Sequence, residues 1–469
     1  MNTSEPVATQ SYDPPVSDAL AAFMAQGWDR RLIKPARADV ADFAARRRER
    51  IAALFPGKRL VIPAGGPPRR SGDQSHRFRP ESDHLWLTGM GEPHSIVVVD
   101  ASLPAGAVLL RLDGERRDTD EFWRSRTRGE FWNGRRLPHA VVEYMTGIPC
   151  QDLDDADAFL TSDVIVLRGV SAPLDRAVAA SSADAELARA LSDLRLVKDS
   201  FEIAELTQAI EITMRGFNDV VAEWSLVRAH GERWIEGTFE RRARLEGNGV
   251  GYASIAAAGS HATTLHWIDN SGSVHDGQLV LMDMGVEANS LYTADITRTI
   301  PANGVFSDAQ RAVYEIVERA QDAGMAAVRP GAKFRAFHHA ATQVLAHGLS
   351  DLGLLPCSVD EALDPQSQVY RRWTLCGTGH MLGLDVHDCG SASFDVYPEG
   401  ELSAGNVLTV EPGLYFQEDD LLVPPELRGV GVRIEDDLVV TVTGSVNLSA
   451  ALPRTVSDIE NWFASSRSS

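Results

Sequence analysis

The sequence predicts an α+β protein in two parts: an α/β domain, then a larger domain of long helices and antiparallel strands. Three observations carry that expectation. Short apolar strands ("RLVIPAG", "SIVVVD", "AVLLRLD") alternate with helical stretches in the first part. Long amphipathic, capped runs follow, and between and after them come apolar strands that each carry one acid. The length of 469 residues also exceeds one ordinary domain.

Taken in order, residues 1–40 ("YDPP", "IKPAR") read as an N-terminal extension. A basic helix, "DFAARRRERIAALF", opens a domain spanning residues 41–198, and the strand "DVIVLRGV" falls near its end. The catalytic domain is expected over residues 199–455, with 456–469 as a tail. Its first helix lies in "SFEIAELTQAIEITMRGFNDVVAEW", where Ser200 is the expected cap. Ile203, Leu206, Ile210, Phe217 and Val221 keep one helical face. Ser307 and Gln310 form a capping-box pattern for a second helix that ends near Pro330, and a third is expected over 333–349. The strands expected around these helices are "QLVLMDMG", "LYTADITRTI", "VLTVEPGLYF" and "GVRIEDDLVVT".

Composition narrows the function. A formal net charge of −21 excludes nucleic acid and anionic membrane as main partners, because either requires a basic face. The uncharged span 247–268 is broken by Gly, Ser, Thr and His, so it is no membrane helix. The N-terminus shows no basic, apolar leader, and Cys150, Cys357, Cys376 and Cys389 make neither a disulfide framework nor a CxxC zinc pattern. A cytoplasmic location is expected.

The acids point to chemistry. Asp283 interrupts "LVLMDMG", Asp295 interrupts "LYTADIT", Glu411 follows "LTV" and Glu435 follows "VRI". One acid at a strand end is ordinarily a solvated turn residue. Four in strands expected to pair into one sheet would meet, and their mutual repulsion calls for cations. Adding His380 gives four carboxylates and one imidazole, enough for two divalent ions with some carboxylates shared. Oxygen-rich ligation without thiolate suits Mn²⁺, with Co²⁺ or Zn²⁺ as alternatives. Two ions about 3.5–4 Å apart can activate a shared water, so hydrolysis is the implied reaction.

With those residues in view, "GTGHMLGLDVHD", "LTVEPGLY", "GVRIEDD" and "DMG…YTADITRT" resemble the pita-bread metallopeptidases, above all the Xaa-Pro aminopeptidases (aminopeptidase P). The resemblance extends more weakly through "FRPESDHLWLTGMGEPHSIVVV" and "EFWNGRRLP" into the first domain. It implies a creatinase/prolidase-like N-terminal domain followed by a pita-bread catalytic domain. Asp283, Asp295, His380, Glu411 and Glu435 are then expected to bind two Mn²⁺ per subunit, with Glu411 also moving protons. His266 and His387 match substrate-side catalytic histidines, and Tyr252, Tyr415 and Arg433 match positions around the ligands and proline pocket. Cys376 stands where the family has a histidine that walls that pocket; on its own, a thiol there reads as a small buried filler. Trp132, with Trp123 as its competitor, matches a tryptophan that reaches a neighbouring subunit's site, which implies a homodimer or homotetramer. The bland alternative for Trp132 is a core residue.

The expected reaction removes an N-terminal residue from peptides with proline second, a bond that other aminopeptidases handle badly because proline has no N–H and constrains the chain. A Xaa-Pro dipeptidase with the same five ligands is the nearest rival, and an inactive pita-bread binding protein the remote one. A methionine aminopeptidase would have no use for the first domain.

Overall fold

The computed structural model describes residues 15–28, 35–72, 74–114, 117–126, 128–161 and 163–466. The chain divides into two compact units, residues 1–191 and 192–469. Among the described residues no helix is long and apolar enough to cross a membrane. Within the expected extension, residues 1–14 and 29–34 lie outside the described set, and Asp18–Met24 is a helix capped by Ser17.

In the first unit the apolar strands form one five-stranded sheet. Arg59–Pro63 pairs antiparallel with Ile96–Val99 and parallel with Val164–Val166. Ala107–Arg111 runs antiparallel to Ile96–Val99, and Cys150–Asp152 pairs parallel at the edge. Val61, Val98, Leu110 and Val166 bury one core face of this sheet. The basic helix Ala41–Leu54 is anchored by its charges: Arg47 and Arg48 are buried and donate to the carbonyls of Trp86 and Leu87. Those carbonyls belong to the last turn of the helix Ser82–Thr88, where backbone acceptors lack partners and cations are favoured.

The second unit begins its long helix at Ser200–Ala222. The cap is Asp199, one residue before the expected Ser200, because Asp199 completes a reciprocal capping box with Glu202. Leu206, Ile210, Phe217 and Val221 are buried as the spacing predicts. Gly216 lets the helix Glu232–Glu246 approach closely; a Cβ there would sit 2.6 Å from the Phe239 ring. Ser307 and Gln310 do form their capping box, on Asp308–Ala327, and the third helix spans Ala336–Asp351. The chain closes with the helix Val456–Ser466, whose Phe463 packs edge-on against Trp224 at 5.1 Å.

The strands differ from expectation in an instructive way. Leu279–Met284 lies between Ile296–Pro301 and Ile255–Ala258 in one antiparallel sheet. The runs "VLTVEPGLYF" and "GVRIEDDLVVT" each break in two. Val407–Val410 pairs with Asp436–Val440, and Gly413–Tyr415 pairs with Gly431–Arg433. The gap holds Glu411 with Pro412, which has no N–H to donate, facing Ile434 with Glu435. The four acids therefore do not share one ladder. The sheets are joined instead by the strand Ile296–Pro301: Glu435 N–H donates to the Thr297 carbonyl at 3.1 Å, and Arg433 N–H donates to Thr299 Oγ1 at 3.2 Å.

Candidate metal centre

Asp283 sits on the central strand of the first sheet, opposite Thr297, and Asp295 immediately precedes the strand carrying Thr297. The Tyr252 hydroxyl ties the two acids together, at 2.7 Å from Asp283 Oδ1 and 2.5 Å from Asp295 Oδ1. His380 arrives on residues 378–382, which run beside Val407–Val410: Thr409 N–H donates to the His380 carbonyl, and Glu411 N–H donates to the Thr378 carbonyl, both at 2.9 Å. The His380 Nε2 then lies 3.3 Å from Asp295 Oδ2 and 3.6 Å from Glu411 Oε1. Glu435 enters from the other side of the strand gap, its Oε2 accepting from Thr297 Oγ1 at 2.8 Å. Asp295, His380 and Glu435 each offer a ligand atom, all within 4.8 Å of one another.

Electrostatics follow from burying like charges. Burial pushes Glu435 well above the usual carboxylate range, and the charges of Asp295 and Glu411 push it further. Burial raises Glu411 to about 7 against the pull of His380 and Arg433. Burial also raises Asp283, although Arg433 Nη2 donates to its Oδ2 at 2.6 Å. Asp295 goes the other way, because hydrogen bonds from His380 and Tyr252 outweigh the burial that would raise it. His380 is carried up to about 9: burial opposes the proton, but Asp295 and Glu411 hold it.

One observation tests whether cations suit the site. Glu435 Oε1 is buried and has no hydrogen-bond donor among the described residues. An orphaned carboxylate oxygen at the meeting point of three other acids and an imidazole is a poor resting arrangement for protein alone and a good one for a hard divalent ion.

His387 is exposed with its ring 4.3 Å from that of His380, and burial together with the His380 charge lowers its pKa. His266 is exposed on the loop after Ile255–Ala258; the carbonyl of its neighbour Leu265 faces Arg433 Nη2 at 3.5 Å. Arg433 also donates to the Tyr415 hydroxyl at 2.9 Å. Cys376 is exposed rather than a buried filler, and partial burial of its thiol together with the charge of Glu411 raises its pKa. Trp132, in the first unit, is not a core residue: it is 48% exposed, its indole N–H donating to the Trp123 carbonyl and its ring covered by Arg126 at 4.3 Å.

Two residues next to the cluster escaped the sequence reading. Thr297 joins Glu435 to Arg433, donating to the first and accepting from the second at 3.2 Å. Asp437 is fully buried, accepts the Asp295 N–H at 3.1 Å, and its Oδ1 has no partner among the described residues. The second aspartate of "IEDD" was the available signal.

A cluster of four carboxylates and one imidazole, with Asp283, Asp295 and Glu435 buried and His380 and Glu411 half-buried at the gap between small antiparallel sheets, defines a divalent-metal hydrolase class. The comparisons agree with that class and narrow it. Residues 204–442 match metallopeptidase family M24, and residues 43–165 match the aminopeptidase P N-terminal domain. Xaa-Pro aminopeptidase 2 of Streptomyces coelicolor is 50% identical over 459 residues, 96% of this chain and 97% of that one. Escherichia coli Xaa-Pro aminopeptidase is 31% identical over 454 residues, covering 91% of this chain and 98% of that one. Among solved structures, Pseudomonas aeruginosa aminopeptidase PepP matches with a TM-score of 0.82 and 30% identity, over 92% of this chain and all (100%) of that one. The E. coli aminopeptidase P bound to the inhibitor Pro-Leu matches with a TM-score of 0.81 and 29% identity, again over 92% of this chain and 100% of that one. The chain belongs to metallopeptidase family M24, with an aminopeptidase P N-terminal domain ahead of its pita-bread catalytic domain.

Proposed function

We propose that this protein is a Xaa-Pro aminopeptidase that binds two Mn²⁺ through Asp283, Asp295, His380, Glu411 and Glu435. The single observation carrying the proposal is the orphaned, buried Glu435 Oε1 within the set of acids around His380. When bound, the ions supply Lewis acidity and make water nucleophilic near neutral pH. The residues do the rest. Glu411, with a pKa raised to about 7 and a side chain 20% exposed, can accept a proton and return it to the departing proline nitrogen. His387, kept neutral by its lowered pKa, has an N–H to offer where negative charge develops on the scissile carbonyl. His266 meets the substrate from the opposite loop. Arg433 fixes Asp283 and Tyr415 together, and Tyr252 fixes Asp283 to Asp295, so the acids hold one spacing. Tyr415 and Cys376 face the substrate at the proline side.

The aminopeptidase reading over the dipeptidase reading rests on the relatives, which are named Xaa-Pro aminopeptidase at 48–50% identity over nearly the whole chain. We further assign a homodimer or homotetramer in which the exposed Trp132 serves a neighbouring subunit, and a cytoplasmic location, supported by four cysteines that are all free thiols. The test compares Xaa-Pro with Xaa-Pro-Yaa as substrates of the Mn²⁺-loaded protein. Cleavage of the longer peptide is expected; cleavage of the dipeptide with refusal of the tripeptide would make the protein a prolidase.

A further inference from the structure

The turn that carries His387 encloses a buried ion cluster that none of the chemistry above uses. Asp388, Lys198 and Arg195 are only 2%, 4% and 4% exposed. Lys198 Nζ donates to Asp388 Oδ2 at 2.8 Å, and Arg195 Nη2 donates to Asp388 Oδ1 and, at 3.1 Å, to Asp385 Oδ2. The Asp388 carboxylate folds back over Gly383, where a Cβ would lie 2.2 Å from Oδ2. Cys389 Sγ adds a contact at 3.2 Å while its backbone holds a left-handed φ of 60°. One further bond pair ties the two segments: Ser393 N–H and hydroxyl both donate to Asp193, each at 2.8 Å. Burial alone would raise the Asp388 pKa, yet the two cations hold it below the usual carboxylate range.

A buried lysine–carboxylate–arginine cluster is an expensive way to hold a surface turn, since desolvation offsets much of the attraction. It does have a geometric consequence. Asp388 is turned inward and fixed at both oxygens, and the next residue back, His387, points outward with its ring against His380. We propose that Asp388, clamped by Lys198 and Arg195, is a positioning residue that sets the His387 imidazole against the metal-side histidine for the reaction proposed above, a reading on which this inference rests.

The experiment is a double-mutant cycle between Lys198→Met and His387→Ala, read as kcat and KM on a Xaa-Pro-Yaa peptide with Mn²⁺-loaded protein and with bound manganese measured for each variant. Lys198→Met leaves Asp388 paired with Arg195. It is expected to lower kcat about 10- to 100-fold with KM and metal content little changed, since small displacements of a reacting group cost rates of that size. In the His387→Ala background the same substitution is expected to cost less than about twofold, and Lys198→Arg to recover most of the wild-type rate. Equal losses in both backgrounds, or no loss in either, would overturn the proposal. Should Lys198→Met not accumulate folded, Arg195→Gln gives the same cycle with Lys198 left on the carboxylate. A His387→Ala protein as fast as wild type would instead remove His387 from the mechanism, a distinct failure.

Discussion

Each unit of the chain holds a shielded histidine, fully buried in the first and half-buried in the second, and the two are shifted in opposite directions. His84, in the first unit, is fully buried between the Ile62 carbonyl at 2.9 Å and the Ser95 hydroxyl at 3.1 Å. Burial lowers its pKa to about 4, so it stays neutral. His380, in the second unit, meets two carboxylates at 3.3 and 3.6 Å and is carried up to about 9. In the first unit Arg47 and Arg48 likewise donate to backbone carbonyls, although Arg48 Nε is buried without a hydrogen-bond partner among the described residues. In the second, acids crowd together, and among the described residues Glu435 Oε1 and Asp437 Oδ1 have no donor. A neutral histidine held by a carbonyl and a hydroxyl belongs to a scaffold; crowded like charges make a site that favours cations.

The contrast can be broken most strongly at Asp295. Asp295→Asn is expected to lose bound metal and to lower hydrolysis by about 10³-fold or more, while circular dichroism and a cooperative melt remain near wild type. Loss of the fold along with the metal would mean that the cluster is a structural core instead.

The next effect lies in the first unit. His84 has a folded pKa near 4, below its ordinary 6.5, so the unfolded chain binds the extra proton first. Its contribution is complete above pH 6.5 and is lost as pH falls toward 4, up to about 3 kcal/mol. Hydrogen exchange in the strand Arg59–Pro63 should show protection falling over that window, and His84→Gln should flatten the response. A pH-independent protection would show that His84 is not held neutral.

A smaller signal comes from the second histidine. With His380 near 9 and Glu411 near 7, the metal-free site at pH 8 carries a proton that ligation must expel. Calorimetric titration with Mn²⁺ in buffers of different ionisation enthalpy should report release of at least about one proton per chain, from His380 and with any proton held by the raised Glu435 added. No buffer dependence would contradict the raised pKa values. The smallest expected change is Cys376→His, which restores an imidazole beside Glu411 and Tyr415 and should raise turnover on Xaa-Pro peptides a few-fold. No gain would leave the thiol equivalent to the imidazole.

How much of this could be read from residues alone follows from distance along the chain. The acids stood out because each interrupts an apolar run, and the capping box at Ser307 could be read within four residues. The break between Val410 and Gly413 was harder: Pro412 announced it, but the apolar run on either side outweighed a single residue. The Lys198–Asp388 pair joins residues 190 positions apart, and Glu435 meets Thr297 across 138, with nothing local to announce either. Glu232 illustrates the same limit. It begins a helix yet spends its carboxylate on the backbone N–H of Ala258, at the end of its strand, and on His261, Trp267 and the Gly272 N–H in the following loop that bears His266.

The most direct measurement strips the protein of metal with chelator, then adds Mn²⁺ while bound metal and cleavage of a Xaa-Pro-Yaa peptide are followed together. Activity absent at the start and rising to a plateau at two ions per chain is the expected result. Cleavage by protein that holds no metal, or a cluster that takes up none at saturating Mn²⁺, would contradict it.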